Sequence, residues 1–344
     1  MVLGGLLPDA TPVQVAAIVV ATGLIWVGSG YLERAAEELS AYYGLPAVVQ
    51  GSVVVAVGSS FPELAGVVVT ALSGSFGMGV GAVVGSAVFN VLVIPAVSGI
   101  ATDDPLDVSR TVVYKEAQFY MLAVSVLVIT FALAVIYYPV SGGALAGRVT
   151  RPLALIPLGL YGLYLFIQWQ DIGDHESDHD GAGVDLRREW AKLAAGLALI
   201  LVAVESLVGA LGGLNATFGV PEFLAGVTVL AAATSFPDAL ISVRAARDGS
   251  GVTSLGNVLG SNTFDLLVAV PVGVLIAGSA PVAFAVAAPM MGVLTVATVL
   301  LFTLLRTDLV LTDTESYGLV VAYLVFVGWV VGETVGALDL LVGT

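Results

Sequence analysis

Gly58-Ser59-Ser60-Phe61-Pro62-Glu63 and Ala233-Thr234-Ser235-Phe236-Pro237-Asp238 are two copies of one motif, and each interrupts an overlong apolar run, near 47–73 and 221–247. Proline removes a backbone donor and clashes with the preceding helical turn, so each run is expected to break or kink there. The carbonyls freed around Ala56 to Ser59 need partners that hydrocarbon cannot supply. Two hydroxyls and a carboxylate stand within one turn of the break, and Ala231, Thr234, Ser235 and Asp238 repeat the arrangement. All of these groups offer oxygen, and none offers nitrogen or sulfur. That is the donor set for hard cations such as Ca²⁺ and Na⁺.

A single Ser-Pro kink in a membrane helix is commonly mechanical, and a run of small residues often serves only to bring helices close. An acid at mid-membrane is different, because on insertion scales it costs about 2.5–3.5 kcal/mol unless compensated. Here two acids each follow a proline at the same register. Offset by 175 residues, Gly44-Leu45-Pro46 meets Gly219-Val220-Pro221, Gly51 meets Gly226, Gly85-Ser86 meets Gly260-Ser261, and Phe89-Asn90 meets Phe264-Asp265. The second motifs, Gly85-Ser86-Ala87-Val88-Phe89-Asn90 and Gly260-Ser261-Asn262-Thr263-Phe264-Asp265, add hydroxyl, amide and carboxylate oxygens. Asn90 and Asp265 lie four residues after Ser86 and Ser261, about one turn along the same helix face.

Composition sets the class. The chain has 344 residues, is 58% hydrophobic and only 11% charged, with a mean hydropathy of +1.03. A soluble domain carries about 25% charged residues. Apolar runs of bilayer length recur throughout, near 11–32, 47–73, 79–100, 117–138, 152–169, 190–212, 221–247, 253–277, 281–305 and 317–340. These read as an all-α polytopic membrane protein of ten transmembrane helices. The polar stretch from Gln170 to Glu189 divides it into a first five-helix repeat (1–169), an acidic linker (170–189) and a second five-helix repeat (190–344). Five spans separate equivalent points, so the second copy is expected to cross the bilayer upside down, with Pro-broken helices at the centre. Inverted repeats are the architecture of secondary transporters, which bind substrate at the midplane. No cysteine is present, which removes disulfides and thiolate metal sites.

The first basic residue is Arg34, so the apolar start lacks the basic flank of a signal peptide and reads as a retained helix. Short cytoplasmic loops carry the Lys/Arg excess. With the N-terminus outside, nine of the eleven basic residues fall in cytoplasmic loops and only Arg148 and Arg151 lie outside. Both termini are then external and the linker cytoplasmic, in a multi-pass protein of the cell membrane. The net charge of −15 excludes nucleic acid as a partner. The acids crowd into loops, at Asp103, Asp104 and Asp107, from Asp171 to Glu189, and at Asp308, Asp313 and Glu315. Such a surface holds water against concentrated salt, or collects Ca²⁺.

On these motifs the chain resembles the cation/calcium exchanger superfamily, specifically its Na⁺/Ca²⁺ exchanger branch. The signatures of that family read roughly Gly-Thr-Ser-hydrophobic-Pro-Glu and Gly-Ser-Asn-hydrophobic-Phe-Asn/Asp, and both occur here twice in order. The resemblance implies an antiporter that exchanges Na⁺ for Ca²⁺ by alternating access, with the bilayer as surroundings, no resident cofactor and no obligate protein partner. It implies that Glu63 and Asp238 are the central ligands. Ser59, Ser60, Thr234 and Ser235 would add hydroxyls, and Ala56 and Ala231 backbone carbonyls. Ser86, Ser261, Asn90 and Asp265 would complete the site, and the first and sixth spans would slide as gates. Ser59 replaces the usual Thr, Ala87 the usual Asn, Ala233 the usual Gly, and Asp238 is one methylene shorter than the usual Glu. Asp238 with Asp265 resembles the K⁺-dependent exchangers, so K⁺ co-transport stays open.

A Ca²⁺/H⁺ exchanger is the nearest rival, though such relatives usually carry a motif histidine and this chain has no histidine in an apolar run. An intramembrane aspartyl protease built on Asp238 and Asp265 would leave the twinned oxygen motifs unexplained, and a passive channel would need no counter-ion. Glu205, within the sixth span, either lines the ion path or faces water. His175 and His179, four apart in the linker, read as solvated rather than as a metal clip.

Overall fold

The structure is a computed structural model that describes residues 10–43, 56–102, 105–110, 112–140, 145–170, 185–338 and 340–341. In chain order the helices are α1 (Thr11–Tyr42), α2 (Ala56–Ser59), α3 (Phe61–Ser73), α4 (Phe76–Ile100), α5 (Val113–Tyr137), α6 (Arg151–Gln170), α7 (Leu186–Phe218), α8 (Glu222–Arg247), α9 (Gly251–Ala277), α10 (Phe284–Asp308) and α11 (Asp313–Thr334). Among the described residues, nine of these are long and apolar enough to cross a membrane, and α3 is a shorter apolar helix. The tenth expected span, 47–73, is therefore seen only from Ala56 onward. Helices dominate because each satisfies its own backbone in surroundings that offer no hydrogen bonds.

Three helices differ most from expectation in their bounds, and one of them is α7, which starts at Leu186 inside the expected linker and runs past 212 to Phe218. The apolar run of α1 ends near residue 32, yet the helix continues to Tyr42 through Glu33, Arg34, Ala35, Ala36, Glu37 and Glu38. These are mostly good helix formers, and the helix carries its charges beyond the apolar stretch. At the other end α11 stops at Thr334, not near 340. Gly336 adopts a left-handed φ of 69°, and the backbone N–H groups of Leu340 and Leu341 turn back to donate to the Glu333 carboxylate.

The helix α4 lies at the centre and is buried almost all round, from Phe76 to Gly99. It packs against α3, α8, α9, α10 and α11. A helix that is apolar on every face belongs in such a core. The periphery is apolar too: Val19 on α1, Val296 on α10 and Val325 on α11 are each about two-thirds exposed. Outward-facing apolar side chains on that scale suit lipid, not water. The pair α1 and α7 pack along each other, with Gly28 and Gly196 at their crossing, and a second apolar cluster joins them to Ala65 of α3, Met78 and Ala82 of α4, and Leu230 and Ala233 of α8.

Two short strand pairs, which the all-α reading did not anticipate, tie the connections together. β1 (Leu106–Asp107) follows α4 and pairs with β4 (Val310–Leu311), between α10 and α11. β2 (Ala146–Thr150), between α5 and α6, pairs with β3 (Ser279–Ala283), which follows α9. Exchanging the two halves of the chain turns one pair into the other, as an inverted repeat requires. The strands satisfy backbone groups where the chain leaves its helices.

The two motif-bearing helices approach closely only because glycine lines their contact. A Cβ on Gly85 of α4 would run into the Val227 carbonyl of α8, and one on Gly226 of α8 into the Met78 carbonyl of α4. Backbone meets backbone at both points, so neither side can yield as a side chain would. Gly85→Ala is expected to destabilise the protein by about 1–3 kcal/mol. Gly212→Ala on α7, where a Cβ meets nothing within 4 Å, is expected to be neutral. Thermal unfolding of the two purified variants in one detergent checks the difference.

Candidate functional site

The first motif breaks its helix. α2 ends at Ser59, Ser60 caps the next helix with φ −89° and ψ 8°, and Pro62 falls in the first turn of α3. Proline is tolerated there because the missing N–H would have had no partner in any case. Glu63 thereby sits in the first turn of α3, where the helix macrodipole favours a carboxylate.

The second motif does not break its helix. α8 runs continuously through Pro237, with a π-helical turn at Gly226–Leu230 just before the motif. The Thr234 hydroxyl donates to the carbonyls of Leu230 at 3.1 Å and Ala231 at 3.3 Å. Where a chain break separates α2 from α3, α8 has a wide turn upstream of its motif and stays helical. A second π turn, Asp265–Ala269, starts on the motif acid of α9. Such turns recur at functional sites.

The four motifs converge. Ser59, Ser60, Glu63, Ser86, Asn90, Thr234, Ser235, Asp238, Ser261 and Asp265 are all buried to within 1% of complete. The Ser59 and Ser261 hydroxyls are 3.0 Å apart, and those of Ser86 and Ser235 are 2.5 Å apart. Ser60 reaches the Ser261 carbonyl at 3.5 Å, and the Ser235 hydroxyl donates to Glu63 Oε1 at 3.3 Å. The Asn90 amide donates to Asp238 Oδ2 at 3.4 Å. Each helix pair thus contributes a hydroxyl to the opposite repeat.

What the network leaves unsatisfied is informative. Glu63 Oε2, Asp238 Oδ1, both carboxylate oxygens of Asp265 and Asn90 Oδ1 are buried with no hydrogen-bond partner among the described residues. All five are acceptors. Unmatched buried oxygens of this kind normally cost about 1–3 kcal/mol each, more when charged, and a cation is the partner that satisfies several at once. The carboxylates do not close on one point, because no three acidic or imidazole side chains among the described residues gather as a metal cage. The other oxygens gathered around them are hydroxyls, amides and carbonyls.

Two further residues belong to this network. Asn262 accepts from the Asn90 amide at 3.0 Å, and its own amide donates to the Ala87 carbonyl at 3.3 Å and the Tyr120 hydroxyl at 3.2 Å. Asn262 stood in the quoted motif, but its repeat mate is Ala87, so symmetry did not single it out. Tyr120 lies inside an apolar run of α5 without any local signal. Ala56 opens α2 and Ala231 lies just past the π turn of α8. Glu205 is half-buried on α7, and His175 and His179 fall outside the described residues.

Fold and motifs together define a class, a polytopic membrane protein of inverted repeats around a buried oxygen-rich centre. The sequence matches the sodium/calcium exchanger protein family over residues 13–170 and 189–332, and the chain belongs to that family. Relatives include CaxA of Alkalimonas amylolytica, 28% identical over 76% of this chain and 81% of that protein. Inner membrane protein YrbG of Escherichia coli is 26% identical over 74% and 77%. The fold is similar to that of the sodium-calcium exchanger NCX_Mj, with a TM-score of 0.62 at 20% identity over 93% of this chain and 99% of that one. It is also similar to native YfkE, with a TM-score of 0.71 at 16% identity over 96% and 95%. The protein is accordingly a cation/Ca²⁺ antiporter of the membrane and not an enzyme.

Glu63→Gln and Asp238→Asn keep size and most hydrogen bonding while each removes one charge. Both are expected to abolish Ca²⁺ transport, since Ca²⁺ depends on carboxylate charge. Ser86→Ala or Ser261→Ala removes one neutral oxygen that water can partly replace, so a partial defect is expected. Asp238→Glu is expected to retain measurable exchange. ⁴⁵Ca²⁺ binding and flux on variants of normal expression check the series.

Proposed function

We propose that the protein exchanges Na⁺ for Ca²⁺ across the cell membrane by alternating access to one centre held by Glu63 and Asp238. The observation that carries the reading is the set of five buried, unpartnered acceptor oxygens between two symmetry-related proline motifs. Ser59, Ser60, Thr234, Ser235, Ser86 and Ser261 supply hydroxyl oxygens, Asn90 and Asp265 further side-chain oxygens, and Ala56 and Ala231 backbone carbonyls. Ca²⁺ takes six to eight oxygens in flexible geometry, which this mixed set suits.

The mechanism follows from the cost of charge in low dielectric. An empty centre holds bare carboxylates, and closing water away from them is unfavourable. One Ca²⁺ or several Na⁺ relieve that cost, so the occluded state is accessible only to a loaded site. Exchange is therefore obligatory, and an inward Na⁺ gradient drives Ca²⁺ outward. The pair α1 and α7 pack along each other and meet the motif-bearing helices through one apolar, non-directional contact with α3, α4 and α8, a surface along which the pair can slide as a unit.

A second monovalent ion has one observation in its favour. Glu63, Asp238 and Asp265 make three carboxylates in one buried region, and a single Ca²⁺ balances only two of them. With both oxygens of Asp265 unpartnered, a K⁺ or a proton accompanying Ca²⁺ would complete the balance. A local segment of 52 residues is 48% identical to mouse sodium/potassium/calcium exchanger 4, which makes K⁺ the ion to test first.

In proteoliposomes, Ca²⁺ uptake is expected to require an outward Na⁺ gradient, and a pH gradient alone is expected to give none. Equal drive by protons would replace this reading with Ca²⁺/H⁺ exchange. Omitting K⁺ from both sides distinguishes the three-ion form, which would then lose uptake. Orientation follows from the distribution of basic residues: Gly181→Cys, in the linker of a cysteine-free chain, is expected to label with an impermeant maleimide only from the cytoplasmic face. Labelling from outside in intact cells would reverse the topology.

A further inference from the structure

A cavity of about 450 Å³ lies between α1 and α8, lined by Ser29, Glu33 and Glu37 on one side and by Pro237, Ile241 and Arg244 on the other. It has room for on the order of ten waters. One wall is the motif itself, because Pro237 immediately precedes Asp238, and Phe236 packs edge-on against Trp26 of α1 at 6.3 Å between ring centroids. Glu33 and Glu37 are four residues apart and share a helix face. Glu37 is exposed, whereas Glu33 is largely buried, and its Oε1 is fully buried with no hydrogen-bond partner among the described residues. Glu33 shares the cavity with Pro237, the residue before Asp238, and Arg34 and Arg244 line it as well. The backbone of Glu33 also packs beside Gly58, with 3.8 Å from its Cα to where a Cβ would stand on that glycine.

The sequence of charges runs from an exposed carboxylate, through a buried one, to the central acid. A cation approaching Asp238 through a narrow cleft loses water in stages, and each carboxylate replaces part of the lost hydration. The two arginines offset the acids, so that a cation is passed on and not retained. The chemistry favours a cation over an anion, since the buried unpartnered atom is a carboxylate oxygen and the wall at Pro237 adjoins Asp238.

We propose that this cavity is the cytoplasmic vestibule of the transport centre and that Glu33 is a positioning residue that receives the cation between Glu37 and Asp238. The inference rests on the antiporter reading and on the topology that puts Arg34 and Arg244 toward the cytoplasm. Glu33 is not a ligand of the centre on this account. It sets how readily ions reach the centre from one face only.

The test is sided kinetics in oriented proteoliposomes. Glu33→Gln is expected to raise the half-saturating Ca²⁺ and Na⁺ concentrations at the cytoplasmic face at least about fivefold, and to leave the external values within about twofold. Equilibrium ⁴⁵Ca²⁺ binding in detergent is expected to stay within about twofold of wild type, and Glu33→Asp to restore part of the cytoplasmic affinity. Unchanged cytoplasmic values overturn the proposal. So does an equal rise at both faces with lost equilibrium binding, which would make Glu33 part of the centre. Ile241→Cys gives a reading independent of Glu33: labelling by an impermeant maleimide from the cytoplasmic face supports the vestibule, and no labelling overturns it. The parent reading fails separately, by absence of Na⁺-dependent Ca²⁺ flux in the wild type.

Discussion

Three carboxylates buried near the middle of a membrane protein impose the arrangement of everything around them. Glu63, Asp238 and Asp265 cannot be left to lipid, so each must sit among groups able to compensate it. The fold provides these groups from four helices at once. α3 starts at its motif so that Glu63 meets a helix N-terminus. α8 keeps its helix through Pro237, and the Thr234 hydroxyl donates to the carbonyls at the end of the π turn, Leu230 and Ala231. α4 and α9 bring Ser86, Asn90, Ser261 and Asp265 from the opposite side. That convergence demands that α4 and α8 touch backbone to backbone, which is why glycine stands at positions 85 and 226. The central buried helix and the close glycine crossing of α4 and α8 are consequences of housing this one polar centre.

The repeat symmetry is close but incomplete, and the departures fall at the centre. Serine contacts cross between the halves, Ser59 with Ser261 and Ser86 with Ser235. The strand pairs at the connections exchange under the same operation. Yet one motif breaks its helix and its mate does not, Ala87 faces the amide of Asn262, and Asn90 is matched by Asp265. An inverted pair of equal halves would present the same site to both faces of the membrane. Unequal halves allow the approach from one face to differ from the approach from the other.

The fold was largely legible in the sequence because its strongest signals are local: apolar runs of bilayer length, prolines within them, and a register that repeats at 175 residues. The central side chains were legible for the same reason, since acid, hydroxyl and proline share one turn of helix. What escaped was non-local. Tyr120 reaches the network from the middle of an apolar run, and only packing shows that its hydroxyl meets Asn262. The strand pairs join connections about 200 residues apart for β1 and β4, and no pattern in either segment alone reveals the partner. The break of α2 from α3 followed from proline chemistry, but the same chemistry did not foretell that α8 would run unbroken through Pro237, with a π turn about two turns upstream.

The looseness of the centre is itself an argument about transport. A cage of three converging carboxylates would hold Ca²⁺ tightly and release it slowly. Here no such cage forms among the described residues, and the unpartnered oxygens are spread over four side chains on four helices. A transported ion must bind well enough to enter and weakly enough to leave. On the proposed assignment, ligands drawn from both repeats would leave the site complete only while the halves are in register. A shift of one group of helices against the other removes some oxygens before others, so the ion's hold weakens as water gains access. On this view the mixed set of hydroxyl, amide and carboxylate oxygens is the feature that couples ion binding to the closed state, since only the loaded, assembled centre satisfies all of its buried acceptors at once.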